Sequence, residues 1–424
     1  METPQKQTKA KMVFTPYQKF VIAILAFLQF TVILDFMVLS PLGAILLTEL
    51  NVDPSQFGLV VSAYAFSAGI SGILAAGFAD KFDRKKLLLF FYTGFLIGTV
   101  FCALAPTYKL LLLARIVTGV FGGVISSVSF AIITDLFKLE VRGRVMGFVQ
   151  MAFAVSQVLG LPIGLVLANR WGWHAPFWMI AGFGVVVGVV IFTYLKPVDS
   201  HLREGAKQNP FAHLAKTLKN SDYLKTFLAT TLLATGGFML MPFGSAFSTN
   251  NMGLTMADLP LLYGVTGAFS MVFGPMIGVL SDKVGKYRLF FAGSLLSILM
   301  VAIYTHLGIT PLWLAILINV ILFIGITSRM ITSSALITAI PAPQDRGAFM
   351  SINASVQQIS GGIAAAIAGL IVVQTPDGIM HHYDWLGYVV MVSMFVAILL
   401  MGMLNRMISR KRKEAAIPIF PITN

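Results

Sequence analysis

The sequence predicts an all-α membrane protein of twelve transmembrane helices, arranged as two pseudo-symmetric six-helix bundles. Three observations predict it. The first is composition: of 424 residues 57% are hydrophobic and only 11% are charged, against about 25% charged in a soluble globular domain. The second is run length. Charge-free stretches at 54–79, 87–108, 145–169, 226–257 and 289–328 each exceed the ~20 residues that a helix needs to cross a bilayer core. They are apolar on every face, whereas a barrel strand alternates, so helices rather than strands are implied. The third is repetition. "GFADKFDRKK" from Gly77 and "GVLSDKVGKYR" from Gly278 place Asp80 and Asp282 202 residues apart. "RGRVMGFVQMAFAVS" from Arg142 matches "RGAFMSINASVQQIS" from Arg346 at an offset of 204. Two parallel six-helix repeats with a site at their interface are the architecture of secondary transporters.

Cutting the apolar runs at Pro, Gly and polar clusters gives spans near 20–47, 56–79, 87–105, 109–135, 145–168, 174–195, 224–248, 258–280, 289–308, 312–339, 347–373 and 385–405. The organisation that follows is a tail at 1–19, a first bundle at 20–195, a linker at 196–223, a second bundle at 224–405 and a tail at 406–424. The first span follows the lysine-bearing tail "METPQKQTKAKMVFTPYQK". It is too long for a signal-peptide core and lacks a small-residue cleavage pattern, so it is expected to stay as helix 1. Within the linker, "NPFAHLAKTLKN" sets Phe211, Leu214 and Leu218 opposite Lys216 and Lys219, the pattern of a short helix lying on a membrane surface.

Basic residues orient the chain. The tails and the loops after spans 2, 4, 6, 8 and 10 hold 26 of the 30 Lys and Arg, and the opposite loops hold two, Lys109 and Arg170. By the positive-inside rule both termini are cytoplasmic, and the expected location is the cell inner membrane. The formal charge of +13 thus reflects topology and gives no reason to expect a nucleic-acid partner. The single cysteine, Cys102, permits no intramolecular disulfide and no Cys-based redox or metal motif. The six His are scattered, and no nucleotide-binding loop, metal-ligand cluster or catalytic triad is present in the sequence. An ATP-driven pump and a membrane enzyme are disfavoured; no cofactor or metal is expected, and the partners are a small-molecule substrate, protons and the bilayer, with the chain acting as a monomer.

Three charges are embedded. Asp35 stands alone in the run from Phe20 to Leu47, at a cost of ~2.5 to 3.5 kcal/mol on insertion scales. It is either a structural acid held by an arginine or a proton switch, because burial and a neighbouring guanidinium act oppositely on the proton affinity of a carboxyl and a conformational change can alter either. Placed in a span from 20 to 47, it falls near the middle of helix 1. Arg115 in helix 4 is either its partner or a snorkelling interfacial residue. Arg329 in helix 10 has Asn319 and Thr327 on the same helix, and is either a substrate ligand for carboxylate or phosphate groups or bonded to helix-end carbonyls. Polar stripes add Asn353, Gln357 and Ser360 on helix 11, and Gln150, Gln157, Gly160 and Gly164 on helix 5; they line a cavity or join helices at about 0.6 kcal/mol per bond. The candidate substrate ligands are therefore Asp35, Arg329, Asn319, Gln150, Gln157, Asn353 and Gln357.

Several motifs resemble the major facilitator superfamily. The loop carrying Asp80, Arg84 and Lys85 is similar to the family's G-x-L-a-D-r-x-G-r-k signature, with Ala76 and Asp83 in place of its glycines, while the second copy keeps Gly278 and Gly285. "RIVTGVFGG" (115–123) resembles the proton-linked R-x-x-x-G motif, and "GLPIGLVLANRWGWHAPF" (160–177) resembles the antiporter signature of helix 5, with His174 replacing an Arg. Within the superfamily the drug:proton antiporter branch fits best. The resemblance implies that Arg115 takes part in proton coupling, either as partner of Asp35 or as a field that tunes it. It implies a gate latch in which Asp80 pairs with Arg84, Arg142 or Arg144, repeated by Asp282 and Lys286. It also implies packing of helix 5 (Gly160, Pro162, Gly164) against the small-residue face of helix 8 (Gly264, Gly267, Gly274, Pro275, Gly278) across the halves. The expected activity is proton-coupled efflux of small amphipathic compounds or drugs by alternating access; the alternative is a symporter or facilitator for an anionic metabolite.

Overall fold

A computed structural model of the chain describes residues 14–199, 217–342 and 345–415, with the side chains of 76, 77, 80, 139, 140, 143, 346, 347 and 411–415 outside that description. The surface helix expected around 209–220 falls mostly outside the described residues, as do the chain's ends. Among the described residues twelve helices are long and apolar enough to cross a membrane: Pro16–Val38, Pro54–Ala75, Arg84–Leu104, Tyr108–Leu136, Arg144–Trp171, Ala175–Tyr194, Ser221–Asn250, Leu259–Val284, Lys286–Tyr304, Leu312–Ile337, Ala348–Ile371 and Tyr383–Arg410. They are numbered spans 1 to 12 below. Because the count is even, span 1 begins and span 12 ends on one side, the termini side; the other is the far side. The only strands described are a two-residue antiparallel ladder, Val373–Gln374 with Met380–His381, in the far-side loop between spans 11 and 12.

Spans 1 and 2 start by the same device. Thr15 accepts from the Gln18 amide at 3.2 Å while the Gln18 side chain accepts from the Thr15 amide at 3.1 Å, and Asp53 with Gln56 repeats this at 2.7 and 3.2 Å. A proline follows each cap, where its missing amide costs nothing and its fixed φ suits the first turn.

Two expected boundaries are corrected. The run 20–47 is not one helix: span 1 ends at Val38, residues 39–42 turn, and a short helix, Gly43–Glu49, follows. Pro41 in that turn has no amide to continue the ladder. Likewise span 7 breaks after Phe238, passes through a 3-10 turn at Met241–Phe243 containing Pro242, and resumes as Gly244–Asn250. Uniform hydrophobicity hides both breaks, because a membrane run scores the same whether its backbone is straight or turned.

The two far-side segments meet. The Ser245 hydroxyl accepts from the Ala44 amide at 3.3 Å and donates to the Ser40 carbonyl at 3.2 Å, and Phe57 meets Phe243 edge-on at 5.8 Å between ring centroids. One apolar core on this side combines both halves, from Leu39, Leu42 and Trp173 to Phe247 and Leu259. Towards the termini side there are two separate cores, one drawn from residues 21–195 and one from 223–408. The halves are therefore joined on the far side and apart on the termini side except along spans 2 and 11. Replacing Ser245 by Ala removes both of its bonds to the first half, worth ~1 kcal/mol together and so roughly a fivefold shift towards far-side opening. In a Cys102→Ala background a reporter thiol at Leu42, fully buried here, should then react about fivefold faster with a maleimide, in keeping with that shift; an unchanged rate would remove these bonds from the closure.

The opening is uneven. Spans 2 and 11 stay together along much of their length: a Cβ at Gly58 would lie 2.8 Å from the Ala365 carbonyl, and one at Gly69 would lie 3.1 Å from the Ser355 carbonyl. Spans 5 and 8 touch at Pro162 with Gly264 and at Gln157 and Val158 with Gly267. Beyond that they part, because a Cβ at Gly274, Gly278 or Gly147 would meet nothing within 4 Å. Of the expected helix 8 face, Gly264 and Gly267 make the contact in this conformation, and Gly274 and Gly278 do not. Gly160 and Gly164 pack inside their own half, against Leu34 and Val38 of span 1.

Candidate functional site

Because span 1 stops at Val38, Asp35 lies in its last turn rather than at mid-helix. Arg115 lies seven residues into span 4, which starts on the far side at Tyr108, or roughly 10 Å in at 1.5 Å per residue. The two depths match. Arg115 Nη1 donates to Asp35 Oδ2 at 2.7 Å and to the Asp35 carbonyl at 3.2 Å, and the Thr99 hydroxyl of span 3 donates to Asp35 Oδ1 at 3.1 Å. The Tyr64 ring of span 2 covers the guanidinium at 4.6 Å. Both charged side chains are fully buried, and Arg115 Nε and Nη2 have no partner among the described residues.

Small residues make this junction possible. Gly119, one turn from Arg115, brings span 4 so close to span 2 that a Cβ there would lie 2.5 Å from the Tyr64 carbonyl, and Gly123 does the same against Ala68. Gly98 meets Thr118 similarly on the span 3 side. The R-x-x-x-G pattern is thus a cation followed by the gap that lets an aromatic ring reach it.

Such a pair is sensitive to the loss of one charge. Attraction in a low-dielectric interior offsets desolvation only while both partners remain, and removing one costs about 3 to 5 kcal/mol. A proton on Asp35 therefore acts on the packing of spans 1, 2, 3 and 4 at once, through a cation that already has two idle donors.

Asp35 has no surface open to the space between the halves in this conformation. Its carboxylate turns into the first bundle towards Thr99 and Arg115. Its neighbour Phe36 faces the other half, with its ring 5.6 Å from that of Phe238. Adjacent helical residues point about 100° apart, so the bonds that hold the acid direct the next side chain to the interface.

The other candidates divide by environment. Asn319 is mostly buried and donates to the Ala315 carbonyl one turn back at 3.1 Å. Asn353 accepts from Thr230 at 2.6 Å, and Ser360 donates to Thr231 at 3.0 Å, so the helix 11 stripe joins span 7 at two of its three members, with exposed Gln357 between them. On span 5, Gln157 is half-buried at the contact with Gly267 and Gln150, two turns nearer the termini side, is exposed. Gln150 thus lies along the reach where spans 5 and 8 part. Arg329 is only 5% exposed, with Nε and Nη2 unpartnered among the described residues and the Phe290 ring at 6.0 Å.

The expected latch residues form bonds within each half. The Asp80 side chain lies outside the described residues. Arg84 Nε reaches Asp135 Oδ2 at 3.3 Å and its Nη1 donates to the Ala79 carbonyl at 2.8 Å. Arg142 caps span 4, donating to the Phe137 carbonyl at 2.8 Å and the Thr134 carbonyl at 2.5 Å. Arg144 is exposed. Lys286 and Asp282 form an i,i+4 surface pair at 2.8 Å, of a kind worth about 0 to 1 kcal/mol.

Four participants were not singled out from the sequence. Tyr64 and Thr99 complete the shell of the ion pair. Gln29 on span 1 is nearly fully buried, accepts from Ser126 at 3.1 Å and leaves Nε2 without a partner among the described residues; a lone amide in an apolar run was its signal. Tyr383 donates to the Leu240 carbonyl at 3.1 Å and stacks on Phe247 at 4.2 Å, satisfying one of the backbone groups that the break in span 7 releases. Span 5 itself contains a π-turn at Ser156–Gly160 just before Pro162, a local widening found often at functional sites.

The sequence model of the Major Facilitator Superfamily matches residues 25–365. The chain belongs to that superfamily. It is 28% identical over 286 residues to the uncharacterized MFS-type transporter YceJ of Bacillus subtilis (strain 168), covering 67% of this chain and 71% of that one. It is 30% identical over 149 residues to multidrug resistance protein 3 of the same organism, covering 35% of this chain and 29% of that one. A crystal structure of a bacterial homolog to the human lysosomal transporter Spinster, in an inward-facing and unoccupied conformation, superposes with a TM-score of 0.71 at 17% identity, over 96% of this chain and 100% of that one. These matches make this chain a multi-pass membrane transporter of the superfamily rather than an enzyme, with the twelve-helix fold in two six-helix bundles.

Proposed function

We propose that this major facilitator protein is a proton-coupled exporter of small amphipathic compounds, working by alternating access. The observation that carries the reading is the sealed Asp35–Arg115 pair, which fixes spans 1 and 4 beside the far-side closure and changes charge if a proton arrives. Asp35 and Arg115 act as the coupling device and not as substrate ligands. The positive-inside asymmetry assigns the termini side to the cytoplasm, so the conformation with its termini side open is the one that loads substrate from within. Substrate enters the reach between spans 5 and 8, past Gln150 and Gln157, towards Phe36 and Phe238. The name of the multidrug resistance relative supports export of drug-like compounds.

Inverted membrane vesicles with an acidified lumen test the direction. On adding each of a panel of small amphipathic drugs, at least one should trigger proton exit, read by a lumenal pH dye, together with its own accumulation inside. Proton and drug moving the same way would replace the reading by symport, and drug flux indifferent to the pH gradient would replace it by facilitated diffusion.

A further inference from the structure

The second bundle holds a feature to which the proposed export route assigns no role. Arg329 of span 10 points into the interior among spans 7, 9, 10 and 12. Its guanidinium lies over Phe290 of span 9 at 6.0 Å, and a Cβ at Gly236 of span 7 would lie 3.7 Å from its Nη1 and 3.6 Å from the Met394 methyl of span 12. No acidic side chain among the described residues forms an ion pair with it, in contrast to Arg115. Ser294 stands one helical turn from Phe290 on the same face of span 9, is fully buried, and its hydroxyl also has no partner among the described residues. Beside it, Gly293 packs directly on span 10, where an added Cβ would lie 2.7 Å from Ser328 Cβ and 3.6 Å from the Arg329 amide nitrogen.

Two independent orphans thus occur on facing helices, and both can donate. A buried cation whose donors are unfilled calls for an anion, and a free hydroxyl donor on the helix packed against that cation's own helix adds to a donor set that an anion satisfies. The space is tight: Arg329 keeps 5% exposure, and Met394, Phe290 and the span 7 backbone close around it. This selects a small ligand over a drug-sized one.

We infer that Arg329 and Ser294 hold a small monovalent inorganic anion, of the size of chloride or nitrate, inside the second bundle. The anion neutralises the guanidinium and ties span 10 to span 9, independently of the substrate and of proton coupling. Gly236 is part of the site because a larger side chain there would occupy the approach to Nη1.

Purified full-length protein in gluconate buffer tests this by thermal unfolding at constant ionic strength. Replacing gluconate by chloride, bromide or nitrate should raise Tm, with a continued rise per tenfold increase in anion once the site is populated. Ser294→Ala should weaken the apparent affinity by about tenfold to a hundredfold, the size of one lost hydrogen bond to a charged group, and Arg329→Gln should abolish the anion dependence. Should Arg329→Gln fail to fold, Ser294→Ala and Gly236→Val carry the same comparison, each with a reduced anion response. The same Tm in gluconate, chloride and nitrate for the unsubstituted protein would overturn the inference. Stabilisation by acetate or benzoate with none by the inorganic ions would also overturn it, and would assign the site to a carboxylate-bearing substrate instead.

Discussion

Asp35→Asn is expected to uncouple transport from the proton gradient while leaving some substrate flux. Exchange of one proton per substrate across a gradient of one pH unit supplies 1.36 kcal/mol, about a tenfold substrate ratio at steady state. With an amide at this position that ratio should fall to near unity in vesicles, a roughly tenfold loss for each pH unit imposed. The amide keeps an oxygen that can accept from Arg115 Nη1 and from Thr99, so local geometry is largely retained. What it removes is the charge. A fully buried guanidinium is then left without its anion, which should cost about 3 to 5 kcal/mol of stability. The double substitution Asp35→Asn with Arg115→Gln separates the two consequences: stability should recover in large part, and coupling should not. Arg115→Ala alone should be the harshest single change at this pair, since it strands a buried carboxylate and opens space beneath the Tyr64 ring. If Asp35→Asn vesicles still build a drug gradient against a pH gradient, Asp35 is a structural acid and the coupling reading fails.

Much of this was legible in the residues. Twelve apolar runs, an even count and two copies of a half set the architecture, because in lipid every backbone group must be bonded internally and only helices do so run by run. Asp35 and Arg115 stood out as charges in such runs, and their pairing reflects how costly either would be alone. Depth was less legible. The turn at residues 39–42 moved Asp35 from mid-helix to the last turn of span 1, and one proline in a uniformly apolar run was the available sign. Which way Asp35 faces was not legible at all: both the vestibule and the bundle interior accept an acid, and Thr99 on a span 64 residues away decides. Glycines in span 8 were legible only as a set for a related reason, since small residues mark where helices can approach but not which conformation brings them together. Gly264 and Gly267 are in contact, whereas Gly274 and Gly278 lie where the halves are apart.

Gly123→Leu should prevent assembly of the first bundle. A Cβ at this position would fall on the Ala68 carbonyl and Cα of span 2 and 2.6 Å from the Ser71 hydroxyl. The first two obstacles are backbone atoms, which cannot rotate away as a side chain can, so spans 2 and 4 must separate. Overpacking a close-packed interior ordinarily costs about 1 to 3 kcal/mol, and a leucine against a main chain belongs at or above the top of that range. Separation also lifts Tyr64, one turn from Ala68, off the Arg115 guanidinium, so the damage reaches the Asp35–Arg115 pair, which loses its cover. The expected result is loss of monodisperse protein on size exclusion, with Gly123→Ala intermediate in Tm between that variant and the unsubstituted chain. Gly147→Leu is the control: a Cβ there meets nothing within 4 Å, and its Tm should be unchanged. Because the obstacle is main chain, Ala68→Gly should not rescue Gly123→Ala. Gly160→Ala differs, since its nearest obstacle is the Leu34 Cδ1 methyl at 2.5 Å, and Gly160→Ala with Leu34→Ala should cost less than the sum of the two separate changes. A Gly123→Leu protein that unfolds at the same temperature as the unsubstituted chain would mean that spans 2 and 4 are not packed backbone to backbone, and the placement of Tyr64 over Arg115 would fall with that contact.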